Sequence, residues 1–256
     1  MKGGEKMKRQ AIFTVVATLI LYGVASAAII NTAHDLSTGS TYYGAGLSGS
    51  SEQICVFCHT PHFPAGISAG EYTTPLWNHK LSSQTYSNTY VSPTMNNTTS
   101  PFAGTDVNTP ARYSAICLSC HDGTVAVDAL YNIPQDKEGT AGQGPGRVGL
   151  SHTKFNTDGT LKNTEPGYIG TDLRYHHPIN MNYDETLDAG LNAPANNCCV
   201  QVSSGKCDVP IYSTNCATTR GTVQCASCHD PHDNTYAPFA RVSLADSALC
   251  TVCHNK

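Results

Sequence analysis

Hydrophobic positions along the chain follow neither a sustained helical spacing nor a sustained alternation. One concentrated apolar stretch, Ala11 to Val24, stands near the start. It follows Lys2, Lys6, Lys8 and Arg9 and precedes Ala25-Ser26-Ala27, the order of a secretory signal with its cleavage site, so residues 1–27 are expected to be removed. The stretch is shorter than the ~20 apolar residues that span a bilayer, and no later segment is long enough. Beyond it, 22 Gly and 14 Pro are spread through the chain, and polar runs at Ser82 to Ser100 and Gly139 to Gly149 read as loops. The pattern predicts a mostly irregular fold with a few short helices, one of them over Ser243 to Cys253.

Four times the chain spells Cys-x-x-Cys-His: Cys55, Cys58, His59; Cys117, Cys120, His121; Cys225, Cys228, His229; and Cys250, Cys253, His254. This is the attachment signature of c-type haem. Two thiols add to the vinyl groups on one side of a porphyrin, and the adjoining imidazole turns beneath the ring to the iron. Zinc is the competing reading, because Cys225, Cys228, Cys250 and Cys253 approach the spacing of a zinc ribbon. With 11 His in 256 residues, a histidine after all four pairs by chance has a probability on the order of 10⁻⁶, and a ribbon has no use for it. Four covalently bound haem c groups are therefore expected.

Four porphyrins, each a large apolar disc, can form the core of so irregular a chain, with short α-helices at the haem motifs. Disorder is the alternative for such a composition, and covalent cofactors oppose it. The motifs divide the sequence into an N-terminal two-haem part (28–135), a connecting region (136–220) and a C-terminal part with a doubled motif (221–256). His254 follows His229 by only 25 positions, so the last two haems are expected to be neighbours.

Of the 12 cysteines, Cys198, Cys199, Cys207 and Cys216 remain. In an oxidising compartment they read as two disulfides stapling a loop over 196–220, with the bridge between adjacent Cys198 and Cys199 disfavoured and the pairing otherwise open. A metal-binding or redox-active cluster is the competing reading. Without residues 1–27, which hold four of the 15 Lys+Arg and one of the 19 Asp+Glu, the net charge moves from −4 to −7. That balance excludes a basic nucleic-acid-binding surface.

Four irons need four further ligands. Seven histidines lie outside the motifs, and after cleavage only Met95 and Met181 remain, so bis-histidine coordination is expected throughout. His232, His62, His177 and His34 are the preferred distal ligands, ahead of His79, His152 and His176. Two imidazoles flanking one iron place their Cα atoms on the order of 12 Å apart, whereas three residues of chain reach at most ~10–11 Å. His62 therefore does not serve the iron of His59, nor His232 the iron of His229; each is expected to bind a different haem.

Cys225 to His232 followed by Ser247-Ala248-Leu249-Cys250 to His254 resembles the multihaem cytochromes with a doubled CxxCH motif. His34-Asp35-Leu36-Ser37, the Cys55 to His62 block, Pro75-Leu76-Trp77-Asn78-His79, Cys117 to Ala126 and Asp172-Leu173 to His177-Pro178 resemble the wider layout of secreted metal-reducer cytochromes. The whole is similar to the OmcE-type tetrahaem extracellular cytochromes that polymerise into filaments. The resemblance implies a continuous haem stack, with one axial histidine donated across the interface between copies, His62 being the first choice and His34 the second. The insertion from Cys198 to Cys216 departs from that pattern.

The function expected is non-enzymatic, extracellular electron conduction by a homopolymer, between redox donors in the cell envelope and external acceptors. A monomeric periplasmic or surface shuttle is the alternative. A multihaem reductase is a third reading; it needs an iron with an exchangeable position, whereas ligands here are in surplus.

Overall fold

A computed structural model describes residues 29–44, 47–61, 76–137 and 146–255; the expected leader (1–27) and His62 lie outside the described residues. Irregular backbone dominates. Among the described residues there are three α-helices, α1 (Arg112–His121), α2 (Cys225–Cys228) and α3 (Ala248–Cys253). The strands are β1 (Thr85–Tyr86), β2 (Phe102–Ala103), β3 (Met181–Asn182), β4 (Val202–Ser203), β5 (Lys206–Cys207) and β6 (Thr222–Val223). They pair antiparallel as β1 with β2, β3 with β6 and β4 with β5. No helix among the described residues is long and apolar enough to cross a membrane.

Local sequence explains where the helices begin and end. Pro110 precedes α1, and its fixed φ suits entry into a first turn. The helix stops at Asp122, before Gly123 at φ +73°, where a Cβ would come 2.4 Å from the ring of Tyr168. Only glycine tolerates both conditions. The helix expected from Ser243 onward is split. Ser243 accepts from Ala245 N–H through Oγ (3.1 Å) and from Leu249 N–H through its carbonyl (3.0 Å), while Asp246 and Ser247 take left-handed φ of 52° and 59°. Local side-chain bonding thus replaces the first helical turns with a 3-10 turn, Ala245–Ser247.

Among the described residues, three small apolar clusters replace a single core. Tyr43, Leu47, Phe57, Val127, Leu130, Val148, Leu150 and Phe155 form the first, beside the Cys55 motif. Tyr86, Phe102, Ala111, Ala115, Leu118 and Leu173 form the second, around α1. The third, Met181, Tyr183, Leu191, Val200, Val209, Ile211, Val223 and Val252, underlies α3 and the cysteine-rich loop.

Between clusters the loops are held by buried polar anchors. Asp128 accepts from Arg147 Nε (2.8 Å) and from the N–H groups of Gly149 (2.6 Å) and Leu150 (2.9 Å). Asn78 donates to the carbonyls of Val56 (2.7 Å) and Asn132 (3.0 Å) and accepts from Asn132 N–H (2.9 Å). Such bonds pair groups that would otherwise be buried unsatisfied.

The loop cysteines form Cys198–Cys216 and Cys199–Cys207. Their loop contributes Val200, Val209 and Ile211 to the third cluster. The connecting region is not a free linker: Met181 pairs with Val223 and with Thr99, and Ser151 with Ser48.

Candidate haem-binding site

Each Cys-x-x-Cys-His is one turn of helix. His59 N–H donates to Cys55 O (2.8 Å), His229 N–H to Cys225 O (3.1 Å) and His254 N–H to Cys250 O (2.9 Å), while the second motif forms the end of α1. Cysteines three apart on a turn share one face. All eight motif cysteines are free of disulfides. Beyond the turn the backbone opens, with ψ of 141° at His229 and 135° at His254. There it is pinned by isolated antiparallel bridges: His59 to Trp77, His229 to Ala240 and His254 to Leu191. Ile169 N–H holds the carbonyl of His121 at 2.8 Å.

Backbone carbonyls also set the imidazoles. Nδ1 of His121 lies 2.6 Å from Gly167 O, that of His229 3.0 Å from Pro238 O and that of His177 3.1 Å from Pro178 O. An Nδ1–H donated to a carbonyl leaves Nε2 as the free lone pair, which is how metal-ligating histidines are held. Burial keeps the pKa of His121 and of His177 below the ordinary range. Burial likewise lowers that of His34 to about 4, helped by His121, His229 and His232 nearby. Neutral imidazole is the metal-binding form.

The motif histidines meet distant ones. The rings of His59 and His232 lie 5.9 Å apart, those of His121 and His34 6.0 Å, and those of His254 and His177 6.4 Å. A transition metal bound to imidazole nitrogen at about 2 Å on either side holds the two ring centres about 6 Å apart. The donor set and its spacing therefore fit haem iron at three positions. Among the described residues His229 has no such ring partner, and the reading that His62 binds a haem other than that of His59 falls outside those residues.

The remaining histidines are committed elsewhere. His79 is fully buried, with Nδ1 3.1 Å from Ser119 Oγ and Nε2 3.0 Å from Ala126 O, so both nitrogens are used. His152 Nδ1 accepts from Lys154 N–H at 3.2 Å, which puts its proton on Nε2. His176 Nε2 lies 3.1 Å from Ile169 O.

The motifs touch in sequence order. The Cys117 thiol donates to Tyr113 O at 3.6 Å, and the neighbouring Cys225 thiol together with burial raises its pKa. Cys58 is near enough to influence both Cys117 and Cys120, and Cys250 to influence Cys228. Burial pushes Cys58 up to about 11 and Cys253 up to about 12. Cys225, Cys228, Cys250 and Cys253 do not converge as a zinc site requires: among the described residues no group of three or more metal-binding side chains is present. Nothing in the sequence pointed to Gln224 and Ser114, which tie α2 to α1, or to the carbonyls of Gly167 and Pro238.

A model of the doubled CXXCH motif matches residues 218–256. No curated protein matches the chain. The motif match supports attachment of c-type haem at this motif, a feature of multihaem electron-transfer cytochromes. The largely irregular fold, with three short α-helices among the described residues, is consistent with a multihaem cytochrome.

Proposed function

We propose that the mature chain is a secreted tetrahaem cytochrome that conducts electrons over long distances outside the cell, as a homopolymer with stacked bis-histidine haems. Covalent haem, when bound, supplies one-electron chemistry at iron; the residues attach it, set its axial ligands and fix its neighbours. Cys55 and Cys58, Cys117 and Cys120, Cys225 and Cys228, and Cys250 and Cys253 hold the four groups. His59 with His232, His121 with His34, and His254 with His177 serve three irons.

The observation that carries this reading is the set of three histidine pairs, each joining a motif to a remote segment at a spacing suited to iron. Such closed coordination favours electron transfer over substrate chemistry, and absence of a methionine ligand keeps potentials low. His34 lies beside His121 of its own chain, so of the two histidines considered for donation between copies, His62 is the one that remains. It would supply the histidine that the fourth haem lacks within one chain.

Electron microscopy of the native secreted material, with its absorption spectrum, tests the proposal. Regular filaments with an unbroken haem line and low-spin spectra are the expected result. Discrete particles would turn the reading to a monomeric shuttle, and a high-spin component to a reductase acting at His229.

A further inference from the structure

Among the described residues, two buried donors beside the motifs have no acceptor. Trp77 is 9% exposed, and its Nε1–H has no hydrogen-bond partner. The bridge to His59 fixes its position, and its ring lies 6.4 Å from that of His59 and 6.3 Å from that of His79. Arg112 opens α1, five residues before Cys117. Its guanidinium lies 4.6 Å over the ring of Tyr113 and donates from Nη2 to the Tyr113 hydroxyl at 2.9 Å. Its Nε is buried and unpaired, and it forms no ion pair among the described residues.

A buried N–H without an acceptor is destabilising, and native proteins rarely leave one so. A cation at such a place calls for an anion. Each porphyrin brings two carboxylates, and after attachment at the cysteines these are the anionic groups introduced beside His59 and α1.

Resting on the haem reading above, we infer that Trp77 Nε1 and Arg112 are hydrogen-bond donors to haem propionates, Trp77 at the group held beneath His59 and Arg112 at a group beside α1. These donors neutralise carboxylate charge next to the iron and so hold its potential up. They are positioning residues, and they impose an orientation on the haem opposite to its thioether edge.

Trp77 is the only tryptophan in the chain, so its indole can be observed alone. Ultraviolet resonance Raman spectra of the wild-type holoprotein are expected to show a hydrogen-bonded indole N–H. In Trp77→Phe, which keeps the packing, one of the four steps of a spectroelectrochemical titration is expected to move to lower potential. Arg112→Gln is expected to lower a different step, and Arg112→Lys to restore most of that change. A free-indole signature in the wild type overturns the inference without any variant. A bonded indole with unchanged potentials in Trp77→Phe also overturns it, because the acceptor is then a polypeptide group. Failure of the haem reading is seen separately, as a wild-type absorption spectrum without haem c.

Discussion

Ser114 in α1 donates its hydroxyl proton to Gln224 Oε1 at 2.6 Å and accepts the N–H of the next residue, Cys225, at 3.0 Å. Gln224, buried like Ser114, also donates from Nε2 to the half-buried Thr222 Oγ1 (2.8 Å) and Asn180 Oδ1 (2.9 Å). This joint sets the distance between the second and third motifs. Gln224→Ala leaves several buried groups unpaired and is expected to cost about 2–3 kcal/mol. Denaturant unfolding measures the loss, and slower internal electron transfer after flash reduction reports the loosened contact.

Replacement of His232 by Ala removes the imidazole stacked 5.9 Å from His59 while disturbing no core, since its side chain is 59% exposed. The variant is expected to retain all covalent haem by mass and to show one high-spin iron by electron paramagnetic resonance. A fully low-spin spectrum would remove His232 from the ligand set.

His79 predicts the opposite spectroscopic result. Its two nitrogens bond to Ser119 and Ala126, so His79→Ala is expected to leave the low-spin spectrum intact and to lower stability by about 2–4 kcal/mol.

Burial also lowers the His79 pKa from 6.5 to about 4. Above pH 6.5 the folded and unfolded states both hold it neutral. As pH falls from 6.5 toward 4, the unfolded chain takes up a proton that the folded chain refuses, so stability declines across that window. Unfolding curves measured from pH 7 to 4 should slope less steeply in His79→Gln, which keeps a polar group in the site without titrating.

The two disulfides close loops of 18 and 8 residues in sequence separation. By the chain-entropy relation they are worth about 3 and about 2.5 kcal/mol respectively. Cys199→Ser with Cys207→Ser is expected to lower the unfolding midpoint and to expose the 196–220 loop to proteolysis, with haem content unchanged.

The reach of the sequence follows the range of the interaction. A Cys-x-x-Cys-His segment folds through a bond from its fifth residue to its first, so the turns of these segments were legible outright. Scarcity of periodic apolar positions likewise announced an irregular fold. The disulfide pairing depends on how Cys207 and Cys216 return to Cys198 and Cys199, and spacing alone does not state it. Bonds of Ser243 to Ala245 and Leu249 outweighed the helical tendency of the residues before Ala248. His79 was legible as a histidine in surplus, but its rank among possible ligands turned on Ser119 and Ala126, which approach it from distant parts of the chain. Trp77 gave no signal, because an indole N–H announces itself only when the structure shows it buried and unpartnered.

The pairing of His59 with His232 also fixes a timetable. Synthesis runs from the N-terminus, so on the proposed haem reading the first motif would be complete long before residue 232 has emerged. Until then a haem held there would have His59 alone as its histidine ligand. On that reading the N-terminal portion would stay an unfinished electron carrier until nearly the last segment is delivered. A chain truncated before Pro231 should accordingly be trapped in that immature state rather than yield a working half.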